Sequence, residues 1–349
     1  MPSGIWKKLL KNIRNCELPH PHIYGVGFRG DYKREKLKKM NYGIPYKGSK
    51  NKIAENIIAQ LPPAKHFYDL FGGGGAMTHC ALLSGKYEFV HYNELNPLVF
   101  KAFKMAINGE FKDENRWISK EDFERLKDSD PYVACCFSFG NSFRTYAYNS
   151  ETEPFKKAVH YSIFFNDNSL LNKYIDLKDF KYSSNNIKER RLELQRFLTV
   201  LLNENKIVDT VRKHFNTENN HARSVIESLE RLERLQSLSS INNGVGVLLS
   251  NLSYEKVPIE SDSVIYCDPP YANTDTYCIS FEHDKFHEWL RKCREKNQQV
   301  FISEYQMPSD FFEVYYKEKT CAFNDQKASK KLEKLFSTLK YSPIELFEW

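Results

Sequence analysis

Short apolar runs alternate with amphipathic stretches along much of the chain, and their order predicts a fold class. Between positions 42 and 108 the pattern predicts a helix over 50–60, a strand over 66–69, a helix over 76–84, a strand over 87–92 and a helix over 97–108. Strand, helix, strand in that order implies parallel pairing through a right-handed crossover, and so an α/β fold. From about 110 to 243 the pattern changes to aromatic-rich loops and asparagine clusters around one charged helical stretch, 222–238. Buried-strand runs return at 244–249, 263–267 and 299–303, with a helix over about 284–295. The reading is one sheet split by an insertion: a catalytic domain of residues 42–109 and 244–349, and an inserted region of residues 110–243. Residues 1–41, basic and broken by His-Pro-His and glycine turns, read as an irregular, partly disordered lead-in. The charge run 327–334 reads as a solvated helix or loop.

Composition changes this picture little. The 349 residues carry 51 Lys and Arg against 45 Asp and Glu, a net charge of +6 that suits a polyanionic partner without proving one. Eight cysteines (Cys16, Cys80, Cys135, Cys136, Cys267, Cys278, Cys293, Cys321) form no CxxC pair and read as reduced thiols of a cytosolic protein. No apolar run approaches the roughly 20 residues of a membrane helix, and Lys7, Lys8, Lys11 and Arg14 interrupt any signal-peptide core. A cytoplasmic protein without a membrane segment is expected.

Three strand ends carry the chemistry. The segment Asp69-Leu70-Phe71-Gly72-Gly73-Gly74-Gly75 runs from a strand through four glycines into a helix, where backbone can approach a nucleoside-like ligand closely. By itself it fits equally a tight turn, or the nucleotide loop of a nicotinamide dehydrogenase, although the spacing is not a clean GxGxxG. At the next strand end stands Asn93-Glu94-Leu95-Asn96, with an acid where α/β folds hold ribose hydroxyls; Glu94 could instead be a helix N-terminal acid. The third is Asp268-Pro269-Pro270-Tyr271. Two prolines donate no backbone hydrogen bonds, so their carbonyls are available acceptors. An exocyclic amine of adenine or cytosine is a poor nucleophile because its lone pair is delocalised into the ring. A carboxylate and a carbonyl accepting its two N–H bonds turn that lone pair toward an electrophilic methyl group and stabilise the charge that develops. Tyr271 offers a face for stacking a base, which would offset part of the few kcal/mol needed to flip it out.

With Pro45-Tyr46-Lys47-Gly48-Ser49-Lys50 before them and Phe301-Ile302-Ser303-Glu304-Tyr305 after, these segments resemble the Dam-like, D12-class adenine-N6 DNA methyltransferases over about residues 42–336. The resemblance implies a Rossmann-like class I methyltransferase sheet with helices on both faces, plus a mainly helical and loop insertion that recognises the target. It implies methyl transfer from S-adenosyl-L-methionine to adenine N6 of a flipped base in double-stranded DNA, by a monomer of bacterial or phage origin that can be partnered by a cognate restriction endonuclease. Carried over by position, Asp268, Pro269, Pro270 and Tyr271 are catalytic. Tyr46, Lys50, Asp69, Phe71, Gly72, Gly73, Gly74, Glu94, Ser253 and Asp268 bind the cofactor. One departure stands out: family members commonly have an acid where Asn251-Leu252-Ser253-Tyr254 has Ser253, which has a shorter reach and no charge.

In the insertion, the run 137–148 interleaves aromatics, amides and an arginine, making Asn141, Arg144, Tyr146 and Tyr148 candidate DNA contacts; a core loop is the plain alternative. Arg190 and Arg191, with Lys188 and Arg196, form a basic cluster that reads as phosphate contacts or as a solvated helix face beside Glu189 and Glu193. His283 and His287 lack a third ligand, and no metal site is expected. Rival functions are methylation of cytosine N4 or of RNA, and a catalytically silent cofactor-binding DNA regulator.

Overall fold

The structure, a computed structural model, describes residues 41–178, 180–203, 224–242, 246–271, 281–321 and 329–341. The expected lead-in therefore lies outside the described residues except for Asn41. Among the described residues seven strands make one sheet: β1 (Ala64–Asp69), β2 (Tyr87–Asn93), β3 (Val247–Ser250), β4 (Ser263–Cys267), β5 (Gln299–Glu304), β6 (Phe312–Cys321) and β7 (Ser329–Ser337). Their order is β3-β2-β1-β4-β5-β7-β6. The first five are parallel, and β7 runs antiparallel to both β5 and β6.

The central strands are apolar on both faces, as a parallel sheet covered by helices requires. Phe67, Val90, Val264, Tyr266 and Phe301 point to one side, where they pack against α1 (Ala54–Gln60) and α2 (Ala76–Ser84). Their neighbours Tyr68, Ile265, Cys267, Val300 and Ile302 point to the other. There they meet Phe286, Leu290 and Cys293 of the helix His283–Glu295. Each fully buried side chain of this size contributes roughly 1.5–3 kcal/mol relative to exposure. The helix expected over 50–60 is two pieces, a 3₁₀ turn Lys50–Lys52 and α1, joined at Ile53 with φ −130°.

After β2, Asn96 caps α3 (Pro97–Ile107): its side chain accepts from Leu98 N and Val99 N, and Pro97 fills the first helical turn. The region between α3 and β3 is mainly helical, with α4 (Lys120–Leu126), α5 (Pro131–Phe137), α6 (Glu153–Phe165), α7 (Ile187–Asn203) and α8 (Ser224–Ser237); the helix after β4 is α9. Its apolar groups divide between two cores. Phe111, Phe123, the buried face of α5, and Leu232 and Leu235 of α8 share one core with Tyr92 and α3. Phe155, Val159, Leu171, Leu194, Leu198 and Leu229 form the other. The first of these cores thus runs without a break from the sheet into the inserted sequence.

One expectation is overturned. The described end of the charge run 327–334 is strand β7, placed between β5 and β6, not a solvated helix or loop. Glu333, Leu335 and Ser337 share one face and all three are buried, and Phe336 on the other face is buried as well. Among the described residues no helix is long and apolar enough to cross a membrane. Cys80, Cys135, Cys136, Cys267 and Cys293 are free thiols, all buried.

The turn from β1 into α2 tolerates no side chain at its end. Gly75 has φ +69°, and a Cβ there would lie 2.1 Å from the Phe103 ring. Gly75→Ala is therefore expected to lose about 1–3 kcal/mol of stability. Urea unfolding of the two proteins measures it, and an unchanged midpoint would contradict the account.

Candidate active site

The strand order reverses between β1 and β4, where open α/β sheets form a crevice at the carboxyl ends of their strands. A cavity of about 1020 Å³ lies there, walled by residues that follow β1, β2, β3 and β4 and by the segment ahead of α1. That is ample for a nucleoside-sized ligand.

Asn93, the last residue of β2, braces the floor. Its amide donates to the carbonyls of Leu70 and Leu252, both at 3.0 Å, and its Oδ1 accepts from Ser250 Oγ at 2.8 Å and Leu252 N at 3.1 Å. One buried side chain thus ties together the chain leaving β1, β2 and β3. Asn251 adds a second brace by donating to the carbonyls of Glu94 and Leu95, so its amide is already committed to the backbone.

Gly72, Gly73 and Gly74 line the cavity, and the space a Cβ would need is filled by the protein's own aromatics. At Gly72 a Cβ would lie 2.2 Å from the Tyr92 ring, and at Gly74 2.7 Å from Tyr46 Cβ. The Gly73 amide donates to Glu94 Oε2 at 2.8 Å, while Asn96 N donates to Glu94 Oε1 at 2.7 Å. Burial pushes the Glu94 carboxyl up from its ordinary value against the pull of these amides. Tyr46 stands over the glycines and meets Phe143 of the inserted region edge-on, with ring centroids 5.6 Å apart. The backbone repeats the link, with Ile44 N donating to Gly74 O at 2.7 Å and Lys47 N to Asn141 O at 3.0 Å.

Asp69 is buried at the end of β1. Its Oδ2 accepts from Thr78 N and Oγ1, and its Oδ1 has no hydrogen-bond partner among the described residues. Burial raises its pKa to about 7. Phe71 lines the cavity and stacks on Tyr254 at 5.3 Å, and Ser253 lines the same wall.

Behind Asp268 lies a buried charge cluster. Lys50 Nζ is 2.7 Å from Asp268 Oδ1, 2.9 Å from Glu333 Oε1 and 2.6 Å from the Tyr271 hydroxyl, which in turn donates to Glu333. Burial alone lowers the pKa of an ammonium, but the two carboxylates overturn that and hold Lys50 above its ordinary value. Burial, then the Asp268 and Glu333 charges, keep the Tyr271 phenol protonated. Asp268 and Pro270 line the cavity; Pro269 and Tyr271 are not among its lining residues. Lys50 sits 4.6 Å from the centre of the Tyr271 ring, and Tyr305 meets that ring edge-on at 4.7 Å.

The structure therefore brings together at one cavity all the residues that sequence reasoning gave to the cofactor and the Asp268 end of the tetrad. Of the expected DNA contacts, Arg144 is exposed at the cavity and Asn141 adjoins it. Asn141 and Phe143 have φ of +57° and +64°, a strained backbone of the kind that gathers at working loops. Tyr146 is buried with its hydroxyl on Ile118 O, and Tyr148 stacks on Trp117 at 5.7 Å, as core residues do. Arg190 is bonded to the carbonyls of Ser184 and Ile163, and Arg191 is paired with Glu230 and Glu233 of α8; neither lines the cavity. Sequence reasoning missed Asn93 and Glu333. No pattern in the sequence marks Glu333 beyond its place two residues before Leu335, which shares its buried face. His283 and His287 belong to no cluster of three metal-ligating side chains among the described residues.

A sheet of this order, with its cavity at the reversal between β1 and β4, is a Rossmann-like methyltransferase fold. The chain belongs to the D12 class N6 adenine-specific DNA methyltransferase family, which matches residues 46–338. It is an enzyme that takes DNA as substrate and transfers a methyl group from a donor to N6 of adenine. No protein of curated function matches it.

Asp69 sets a pH signature on the free protein. Its folded pKa of about 7 stands above its ordinary 3.8, so between these values the folded state binds more protons than the unfolded. Its contribution to stability is full below about pH 3.8 and is lost as pH rises through about 7. Urea unfolding across this range should show wild-type stability falling relative to Asp69→Asn as pH rises; parallel curves would refute the assignment.

Proposed function

We propose that the methyl donor is S-adenosyl-L-methionine, bound along the glycine turn, and that the acceptor is an adenine flipped out of double-stranded DNA beside Asp268. The residues present fit such a donor. Glu94 offers a carboxylate to a ribose diol, Phe71 an apolar wall for a purine, and the unpartnered buried Asp69 Oδ1 an acceptor for an ammonium. Ser253, where relatives commonly carry an acid, supplies a hydroxyl toward the purine edge. When bound, S-adenosyl-L-methionine supplies an electrophilic methyl group.

The observation that carries the reading is Asp268 itself, a carboxylate at the cavity wall whose Oδ1 is fixed by the buried Lys50. The target amine donates one N–H to this carboxylate and the other to the Pro269 carbonyl. Held that way, its nitrogen turns tetrahedral and its lone pair is released from the ring toward the methyl group. The positive charge that develops on the nitrogen as the N–C bond forms and the donor's S–C bond breaks lies against Asp268, and the surplus N6 proton then leaves to solvent to restore a neutral amine. Tyr271, its hydroxyl held between Lys50 and Glu333, stands behind Asp268 and Pro270 and offers its ring to the flipped base from beyond the cavity lining. Arg144 and Asn141, on the strained loop beside Tyr46, contact the duplex near the vacated position. Tyr46 meets Phe143 of the same loop, so DNA engagement and donor binding touch each other directly.

Asp268→Ala is expected to lower methyl transfer by about 10²-fold or more while the circular dichroism spectrum and melting curve stay those of a folded protein. Transfer of labelled methyl at the wild-type rate would refute the role. Expression in a methylation-deficient bacterium followed by single-molecule sequencing should show N6-methyladenine at a defined site with the wild type and none with the variant.

A further inference from the structure

The cluster behind Asp268 holds one carboxylate that the transfer chemistry above leaves without a task. Glu333 belongs to β7, which is separated from β4 by β5 in the sheet, yet its Oε1 is 2.9 Å from Lys50 Nζ and it also accepts from the Tyr271 hydroxyl. Lys50 and Glu333 are 5% and 4% exposed, whereas Asp268 is 19% exposed and opens on the cavity. The ammonium thus has one carboxylate behind it, away from solvent, and one in front, facing the substrate.

This arrangement sets how strongly Asp268 can act as an acceptor. In a poorly hydrated site, an ammonium paired with Asp268 alone would cancel that carboxylate's charge and compete with the target amine for its lone pairs. A second carboxylate behind the lysine leaves the three groups with one net negative charge. That charge is expressed on the member that faces the cavity. Glu333 also fixes the far end of the Tyr271 side chain, which sets the ring's tilt against Tyr305.

We propose that Glu333 is a positioning residue for methyl transfer: it draws the charge of Lys50 back from Asp268 and anchors Tyr271, so that Asp268 meets the target amine as an effective anion. This rests on the role proposed above for Asp268.

Glu333→Gln keeps the size and an acceptor oxygen but removes the charge. It should lower kcat by about 10–100-fold, the scale on which outer partners of a reacting group act, with the donor Kd and the KM for DNA unchanged. Glu333→Asp, which keeps the charge on a shorter side chain, should transfer faster than Glu333→Gln. The double variant Lys50→Met with Glu333→Gln should be no slower than Lys50→Met alone, since no lysine charge is left to offset. A merely structural role predicts otherwise: lower stability with kcat unchanged for Glu333→Gln, faster transfer by the glutamine than by the aspartate variant, or losses that add in full in the double variant. Any of these overturns the proposal. Asp268→Asn measured alongside separates the two ideas. If it transfers at the wild-type rate, the role of Asp268 fails. If it is inactive while Glu333→Gln is unimpaired, only the role of Glu333 fails.

Discussion

A lysine cannot be buried as a cation unless charge meets it inside the protein, and Lys50 is met from two sides. Its ammonium reaches Asp268 beyond the end of β4 and Glu333 on β7, so a residue from the segment ahead of α1 pins together parts of the sheet that share no hydrogen bonds with each other. Removing one partner of such a buried group leaves an uncompensated charge and is far more damaging than never having built it. That one requirement fixes the approach of residues 42–50 to the sheet, the orientation of Asp268 and the tilt of Tyr271. The antiparallel placement of β7 beside β5 is what brings the second carboxylate within reach.

The other half of the cavity depends on close approach instead of charge. Gly72, Gly74 and Gly75 stand where the rings or backbone of Tyr92, Tyr46, Ile44 and Phe103 leave no room for a Cβ. The glycine turn is thereby wedged between β2, α3 and the segment ahead of α1. Its one ligand-like hydrogen bond, Gly73 N to Glu94, is made within the protein. The turn is thus packed on the protein's own side chains, which limits the ordering that a ligand of this cavity must impose.

Much of this was legible in the chain because buried parallel strands write themselves as unbroken apolar runs. The run before Asp268 matches β4 residue for residue, and the runs before Asp69 and Glu94 match β1 and β2 to within a residue or two. The chemistry at their ends was legible too, since glycines, paired prolines and a carboxylate at strand termini have few structural uses. What escaped was non-local. β7 hid inside a lysine-rich stretch, whose charges read as a solvated segment, and Glu333 acquires meaning only when β7 is laid beside β5. Asn93 reads as an ordinary turn asparagine until β3, more than a hundred residues later, is placed next to it. Arg190 and Arg191 looked like a nucleic-acid patch because the glutamates that occupy Arg191 lie on α8, distant in sequence.

The brace made by Asn93 also spans the inserted region. Its contact with Ser250 joins residues 157 positions apart, and Asn251, bonded to the carbonyls of Glu94 and Leu95, doubles the link where β3 pairs with β2. The entropy cost of closing a chain between two joined points grows only with the logarithm of its length. The inserted region can therefore change in length at small entropic cost while the wall that carries Ser253 keeps its anchor on β2.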